Sequence, residues 1–148
     1  MAQQQKVLIM EDDRLYNLFL RQFLEGCGFS VVEAWSLSEC QTLMREEQPD
    51  AIVCDVGVAA GPEPTARYLP MGGLNVLDWL SRQKSVPRPG ITIVMSDTMT
   101  PGMRAQFQER GVTAILDKPL RPDALVRLLR GRRVDQSSSA QDSRIPPS

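Results

Sequence analysis

Apolar runs of two kinds alternate along the chain. Lys6 to Met10, Ala51 to Cys54 and Ile91 to Met95 hold continuous hydrophobic stretches, as expected of strands covered on both faces. Val31-Val32 and Thr113 to Leu116 are shorter and read as two further strands. Between them the period changes to that of helices. Leu15, Leu18, Phe19, Gln22 and Phe23 form a stripe that Gly26 and Gly28 close, and Leu37, Cys40, Leu43 and Met44 form another behind the capping-box sequence Ser36-Leu-Ser-Glu39. Leu74, Leu77 and Leu80 mark a third helix. Thr100-Pro101 starts a fourth that Gly111 ends, and Pro122-Asp123 opens a fifth with Leu125, Leu128 and Leu129 inward. Strand and helix in strict alternation predict an α/β fold with a parallel sheet between two helical layers. From Val56 to Gly73 the chain is rich in Gly, Pro and Ala and shows no period, so a long functional or mobile loop is expected.

Composition narrows the class. At 148 residues and 42% hydrophobic, the chain suits one domain, placed at residues 1–130. Residues 131–148 turn to Arg, Ser, Gln and Pro and read as a disordered polar tail. The net charge of -1 predicts no polyanionic partner, although residues 121–133 gather five Arg against one Asp. That basic stretch reads as a solvated helix face, and no direct DNA binding is expected. The absence of histidine excludes serine-histidine and cysteine-histidine catalysis. Cys27, Cys40 and Cys54 are widely spaced and read as small buried hydrophobes in a reducing compartment. Neither a signal-like N-terminus nor a membrane-length apolar run is present, so a cytoplasmic protein is expected.

The polar residues that close the strands carry the chemistry. Glu11-Asp12-Asp13, Asp55, Ser96 and Lys118-Pro119 each follow an apolar run. A parallel sheet brings such positions together at the carboxyl ends of its strands. Glu11, Asp12 and Asp55 would repel one another without a cation, and hard carboxylate oxygens suit Mg2+. Asp55, alone on its strand, is the natural nucleophile toward a phosphoryl group. Lys118 and Ser96 supply the ammonium and the hydroxyl for the oxygens of that group. A cis Lys118-Pro119 bond would aim the lysine inward.

In this set and spacing, over about residues 5 to 130, the chain resembles the receiver domain of two-component response regulators. The resemblance implies a flavodoxin-like, doubly wound sheet of five parallel strands in the order 2-1-3-4-5, with five helices. It implies Asp12 as direct metal ligand beside Glu11 and Asp55, the Gly57 carbonyl as a backbone ligand, Asp55 as phosphoacceptor, Ser96 as switch hydroxyl and Lys118 as the lysine before proline. The expected protein is a single-domain response regulator. It takes a phosphoryl group on Asp55 from a histidine kinase or phosphotransfer protein with Mg2+, catalyses only its own phosphorylation and dephosphorylation, and signals through altered protein contacts. The fourth helix, fifth strand and fifth helix would form the downstream surface, with pairing of two phosphorylated copies left open.

Three features depart from the family pattern. Val58-Ala59 stand where receivers carry Met-Pro, and about ten extra residues lie between Ala59 and Pro70, beside the pocket. These are expected to be mobile or to shield Asp55 from some donors. Asp97 follows Ser96 where a small residue is usual, and Ile115 replaces an aromatic that moves with the switch hydroxyl. They favour the rival reading, a constitutive interaction module of receiver fold with weak or unused phosphorylation. A third reading, a dehalogenase-like phosphatase, wants Asp-x-Asp, and Asp55-Val-Gly57 lacks the second acid.

Overall fold

The central strands are the continuous apolar runs. In a computed structural model, which describes residues 4–131, β1 (Lys6–Met10) lies between β2 (Ser30–Ala34) and β3 (Ala51–Asp55). After β3 come a short antiparallel pair, β4 (Val58–Ala59) and β5 (Tyr68–Leu69), and then β6 (Ile91–Ser96) and β7 (Ala114–Asp117). The main sheet is five-stranded, all parallel, in the order β2-β1-β3-β6-β7. With the inserted pair set aside, this is the flavodoxin-like order 2-1-3-4-5.

Among the described residues five helices cover the sheet: α1 (Arg14–Gly26), α2 (Leu37–Glu47), α3 (Gly72–Arg82), α4 (Pro101–Glu109) and α5 (Pro122–Leu129). Successive strand residues project to opposite faces, so each central strand feeds two cores. Leu8, Met10, Ile52, Cys54 and Val94 pack with Cys40 and Met44 of α2, Leu77 and Leu80 of α3, and Phe107 of α4. Val7, Ile9, Val53, Ile93 and Met95 pack with Leu20 and Leu24 of α1 and with Leu125 and Leu129 of α5. Each fully buried Leu or Ile contributes roughly 1.5–3 kcal/mol by transfer, and truncating one to alanine costs about 2–5 kcal/mol. The three cysteines are free thiols; Cys40 and Cys54 are buried, and burial pushes the Cys54 thiol up to about 12.

The predicted caps form. Ser36 Oγ accepts from Glu39 N, Glu39 Oε1 accepts from Trp35 N, and Thr100 Oγ1 accepts from Met103 N ahead of Pro101. Two expectations need correction. The stripe Leu15, Leu18, Phe19 and Gln22 does not face the core: Leu15 is 79% exposed, Leu18 44% and Phe19 49%. The buried face is Asn17, Leu20 and Leu24, with Tyr16 and Phe23 half-buried beside them. This helix carries two apolar stripes, and periodicity alone does not choose between them.

The segment after Asp55 is not structureless either. Val58 pairs with Leu69 and Ala59 with Tyr68, Ala60 N donates to Arg67 O at 2.8 Å, and Ser38 N donates to Ala60 O at 3.1 Å. A hairpin thus stands on the amino end of α2. Strands of two residues are too short to carry a period of two, which is why the sequence reads as a loop. The expected tail lies outside the described residues, apart from Gly131 at their edge. No helix among the described residues is long and apolar enough to cross a membrane.

Candidate functional site

Strand register builds the site. Met10 is level with Cys54, and Asp55 with Met95, so the residues leaving β1, β3 and β6 emerge side by side. Glu11, Asp12 and Asp55 each present a carboxylate oxygen within 4.8 Å of the others. Glu11 is 1% exposed. Asp12 is exposed and Asp55 half-buried, so the cluster opens to solvent on the Asp12 side. The third acid of the run serves the helix instead, since Asp13 caps α1, its Oδ1 accepting from Tyr16 N at 3.2 Å.

Lys118 follows β7, and its bond to Pro119 is cis. Its Nζ lies 2.5 Å from Glu11 Oε1 and 3.2 Å from Asp55 Oδ2. The Tyr16 ring lies 5.1 Å from the same ammonium, and the Tyr16 hydroxyl accepts from Leu120 N at 2.8 Å, tying α1 to the turn after Pro119. Asp55 is held at both oxygens, since Oδ1 accepts from its neighbour Val56 N at 2.8 Å while Oδ2 faces the lysine. Glu11 Oε2 accepts from Asp13 N at 3.0 Å, and the buried Asn17 Nδ2 donates to the Glu11 carbonyl at 3.1 Å.

The charges are not balanced. Burial raises Glu11, Asp12 and Asp55 above the ordinary carboxylate range; repulsion from Asp55 adds to it at Glu11, and the Glu11 side chain adds to it at Asp12. Burial alone would lower Lys118, but Glu11 and Asp55 outweigh it and hold the ammonium above its usual value. One lysine against three carboxylates leaves a net charge of -2. Converging hard oxygens with surplus negative charge are the donor set that a divalent cation such as Mg2+ takes. The residues present therefore fit the metal that the sequence implies.

Ser96, at the end of β6, is 3% exposed. Its hydroxyl donates to Thr98 O at 2.5 Å and accepts from Thr98 N at 3.1 Å, so it is spent on its own turn. Lys118 N donates to Ser96 O at 2.9 Å, which ties the two strand ends. Asp97 is exposed beside it, and Ile115 is half-buried against the first core.

Gly57, two residues past Asp55, is buried under the hairpin: a Cβ built there would lie 2.0 Å from the Tyr68 hydroxyl. Burial first, and then the charges of Asp55, Asp12 and Glu11, raise the Tyr68 phenol above its ordinary value. Sequence reasoning missed Tyr68, Tyr16 and Asn17. Asn17 did leave a signal, a polar residue in register with Leu20 and Leu24.

The family model of the response regulator receiver domain matches residues 7–130. Over 132 residues, 84% of this chain, the sequence is 30% identical to the peroxide stress-activated histidine kinase mak3 of Schizosaccharomyces pombe, of which the match spans 5%. Over 55 residues, 37% of this chain, it is 40% identical to the KDP operon transcriptional regulatory protein KdpE of Escherichia coli, of which the match spans 24%. The chain thus spans a small part of either curated relative. Among solved structures, the CheY-like response regulator receiver domain protein of Methanospirillum hungatei superposes with a TM-score of 0.72 at 21% identity, over 88% of this chain and 94% of that one.

Proposed function

Because this chain belongs to the response regulator receiver family, we propose that Asp55 accepts a phosphoryl group from a phosphohistidine on a histidine kinase or phosphotransfer protein. The observation that carries this reading is the pairing of Lys118 with both Asp55 and Glu11 beside the exposed Asp12. It is a nucleophile with its counter-charge already in place. In the transfer, an Asp55 oxygen attacks phosphorus, the P–N bond to the donor imidazole breaks, and the imidazole leaves with its electron pair.

Val56 N and Lys118 hold the carboxylate in one orientation, so little ordering is left to the encounter. The Lys118 ammonium stabilises charge on the transferring oxygens. Glu11, Asp12, Asp55 and the Gly57 carbonyl would hold Mg2+, which supplies a further positive charge for those oxygens when bound. Ser96 must release Thr98 O to donate to the phosphoryl group, and that exchange would carry the signal from Asp55 to the end of β6. The domain catalyses its own labelling and hydrolysis, and its output is a change in protein contacts at the surface of α4, β7 and α5.

The rival reading, a constitutive module, draws on that closed Ser96 hydroxyl. Thermal unfolding with Mg2+ and beryllofluoride separates the two. The phosphoacceptor reading expects a rise in Tm for the parent that is absent in Asp55→Asn. No rise in the parent, or the same rise in both, contradicts it.

A further inference from the structure

The hairpin from Val58 to Leu69 has a definite seat. Its first strand bridges to Ser36 through Ala59, its turn side bonds α2 through Ser38 and Ala60, and Leu69 is half-buried while its neighbour Tyr68 is 57% exposed. Consecutive strand residues point to opposite sides, so a seat for Leu69 fixes the direction of Tyr68. That direction leads across Gly57. The phenol oxygen occupies the space a Cβ at residue 57 would fill, with ring carbon Cζ 2.7 Å from that point. An aromatic side chain therefore lies on the main chain two residues past Asp55.

Resting on the phosphoacceptor reading above, we propose that Tyr68 is a rate-setting residue of the Asp55 site: its phenol, laid over Gly57 by the inserted hairpin, obstructs both donor and water on that side of Asp55. The proposal concerns two balanced steps. In labelling by acetyl phosphate, an Asp55 oxygen attacks phosphorus and acetate leaves. In hydrolysis, a water oxygen attacks phosphorus, the P–O bond to Asp55 breaks, the carboxylate returns, and the water's protons pass to phosphate and solvent. Both need an open approach to the same phosphorus. A side chain that narrows the approach slows both, and so lengthens the life of the acyl phosphate without touching the acids.

Gly57 gives an independent handle. An alanine there collides with the phenol oxygen at 2.0 Å but only crowds the Pro70 carbonyl at 3.3 Å, and it keeps the Gly57 backbone carbonyl. The far end of a side chain yields before backbone does, so Gly57→Ala displaces the phenol while leaving the hairpin seated. If Tyr68 is the obstacle, the two substitutions act through one cause and do not add.

The experiment uses the full chain with Mg2+ and radiolabelled acetyl phosphate, following label gained and then lost after donor removal. Tyr68→Ala and Gly57→Ala should each raise the hydrolysis rate by about fivefold or more. Tyr68→Ala should raise the labelling rate similarly, and the double variant should match Tyr68→Ala. Two results overturn the proposal: hydrolysis unchanged in Tyr68→Ala while the parent labels normally, or single effects that multiply in the double, which would mean that alanine at 57 acts on the metal ligand instead. A parent that takes no label removes the phosphoacceptor reading itself, and the proposal with it.

Discussion

Replacing Lys118 by methionine keeps the length of the stem and removes the one cation that, among the described residues, pairs with Glu11 and Asp55 of the acid cluster. At 3.2 Å and an effective dielectric of ~20, the attraction between Lys118 and Asp55 is about 5 kcal/mol gross. The closer contact to Glu11 is larger still. Neither is a net figure, because the ammonium and the acids have all lost water on folding. The Lys118 side chain is 12% exposed, Glu11 1% and Asp55 16%. Removing one partner of a pair so enclosed costs roughly 3–5 kcal/mol, and methionine, which has no charge to desolvate, places the cost near about 3 kcal/mol. For a domain of this size that lowers Tm by about 10 °C in chelator.

The pocket gives the loss a signature that a packing defect would lack. With the lysine gone, the three acids, already raised by burial, rise further, so the native state binds protons more tightly than the unfolded chain. Stability of Lys118→Met therefore recovers as pH falls through the raised folded values and is lost as pH rises through them. Mg2+ replaces the missing charge, so the rise in Tm between chelator and about 10 mM Mg2+ is larger in the variant than in the parent. Thermal unfolding followed by circular dichroism, with and without Mg2+ at two pH values, measures all of this. A variant with the parent's Tm in chelator, or one whose deficit Mg2+ and acid both leave untouched, refutes the reasoning.

Two further substitutions probe the surroundings. Asp97→Ala removes an exposed charge next to Ser96 and should raise acetyl phosphate labelling at low salt, with the gain fading as ionic strength rises; equal rates at low salt mean the carboxylate does not bear on the donor. Gly73→Ala puts a Cβ 3.0 Å from the Asp55 carbonyl and 3.4 Å from the Phe107 ring, one fixed backbone and the other fully buried. It should cost about 1–3 kcal/mol in chemical denaturation and slow labelling by shifting the end of β3, and parent-like stability would show that α3 moves aside freely.

The sheet was legible because its central strands are apolar on both faces, a pattern that Val7 to Met10 and Ile93 to Met95 display without interruption. The acid cluster was legible for the same reason: a parallel sheet aligns whatever follows each strand, so Glu11, Asp12 and Asp55 meet without any long-range reasoning. Lys118 could be placed from its proline. What failed depended on choices that local pattern does not make. Two apolar stripes on α1 compete for one core, and Tyr16, Leu20 and Leu24 win because the turn after Pro119 and the second core receive them. The hairpin is held by backbone bonds to α2 and to itself, which leave no mark on side-chain periodicity. The engagement of the Ser96 hydroxyl with Thr98 is likewise a matter of rotamer, visible only once the turn is built.

The central claim is that Asp55 becomes an acyl phosphate. The full chain is incubated with acetyl phosphate and Mg2+, reduced with borohydride, which converts an aspartyl phosphate to homoserine, and mapped by peptide mass spectrometry. Homoserine is expected at position 55, dependent on Mg2+ and absent when Asp55 is asparagine. Full label elsewhere, or none at position 55 under conditions where a known receiver domain is labelled, contradicts it.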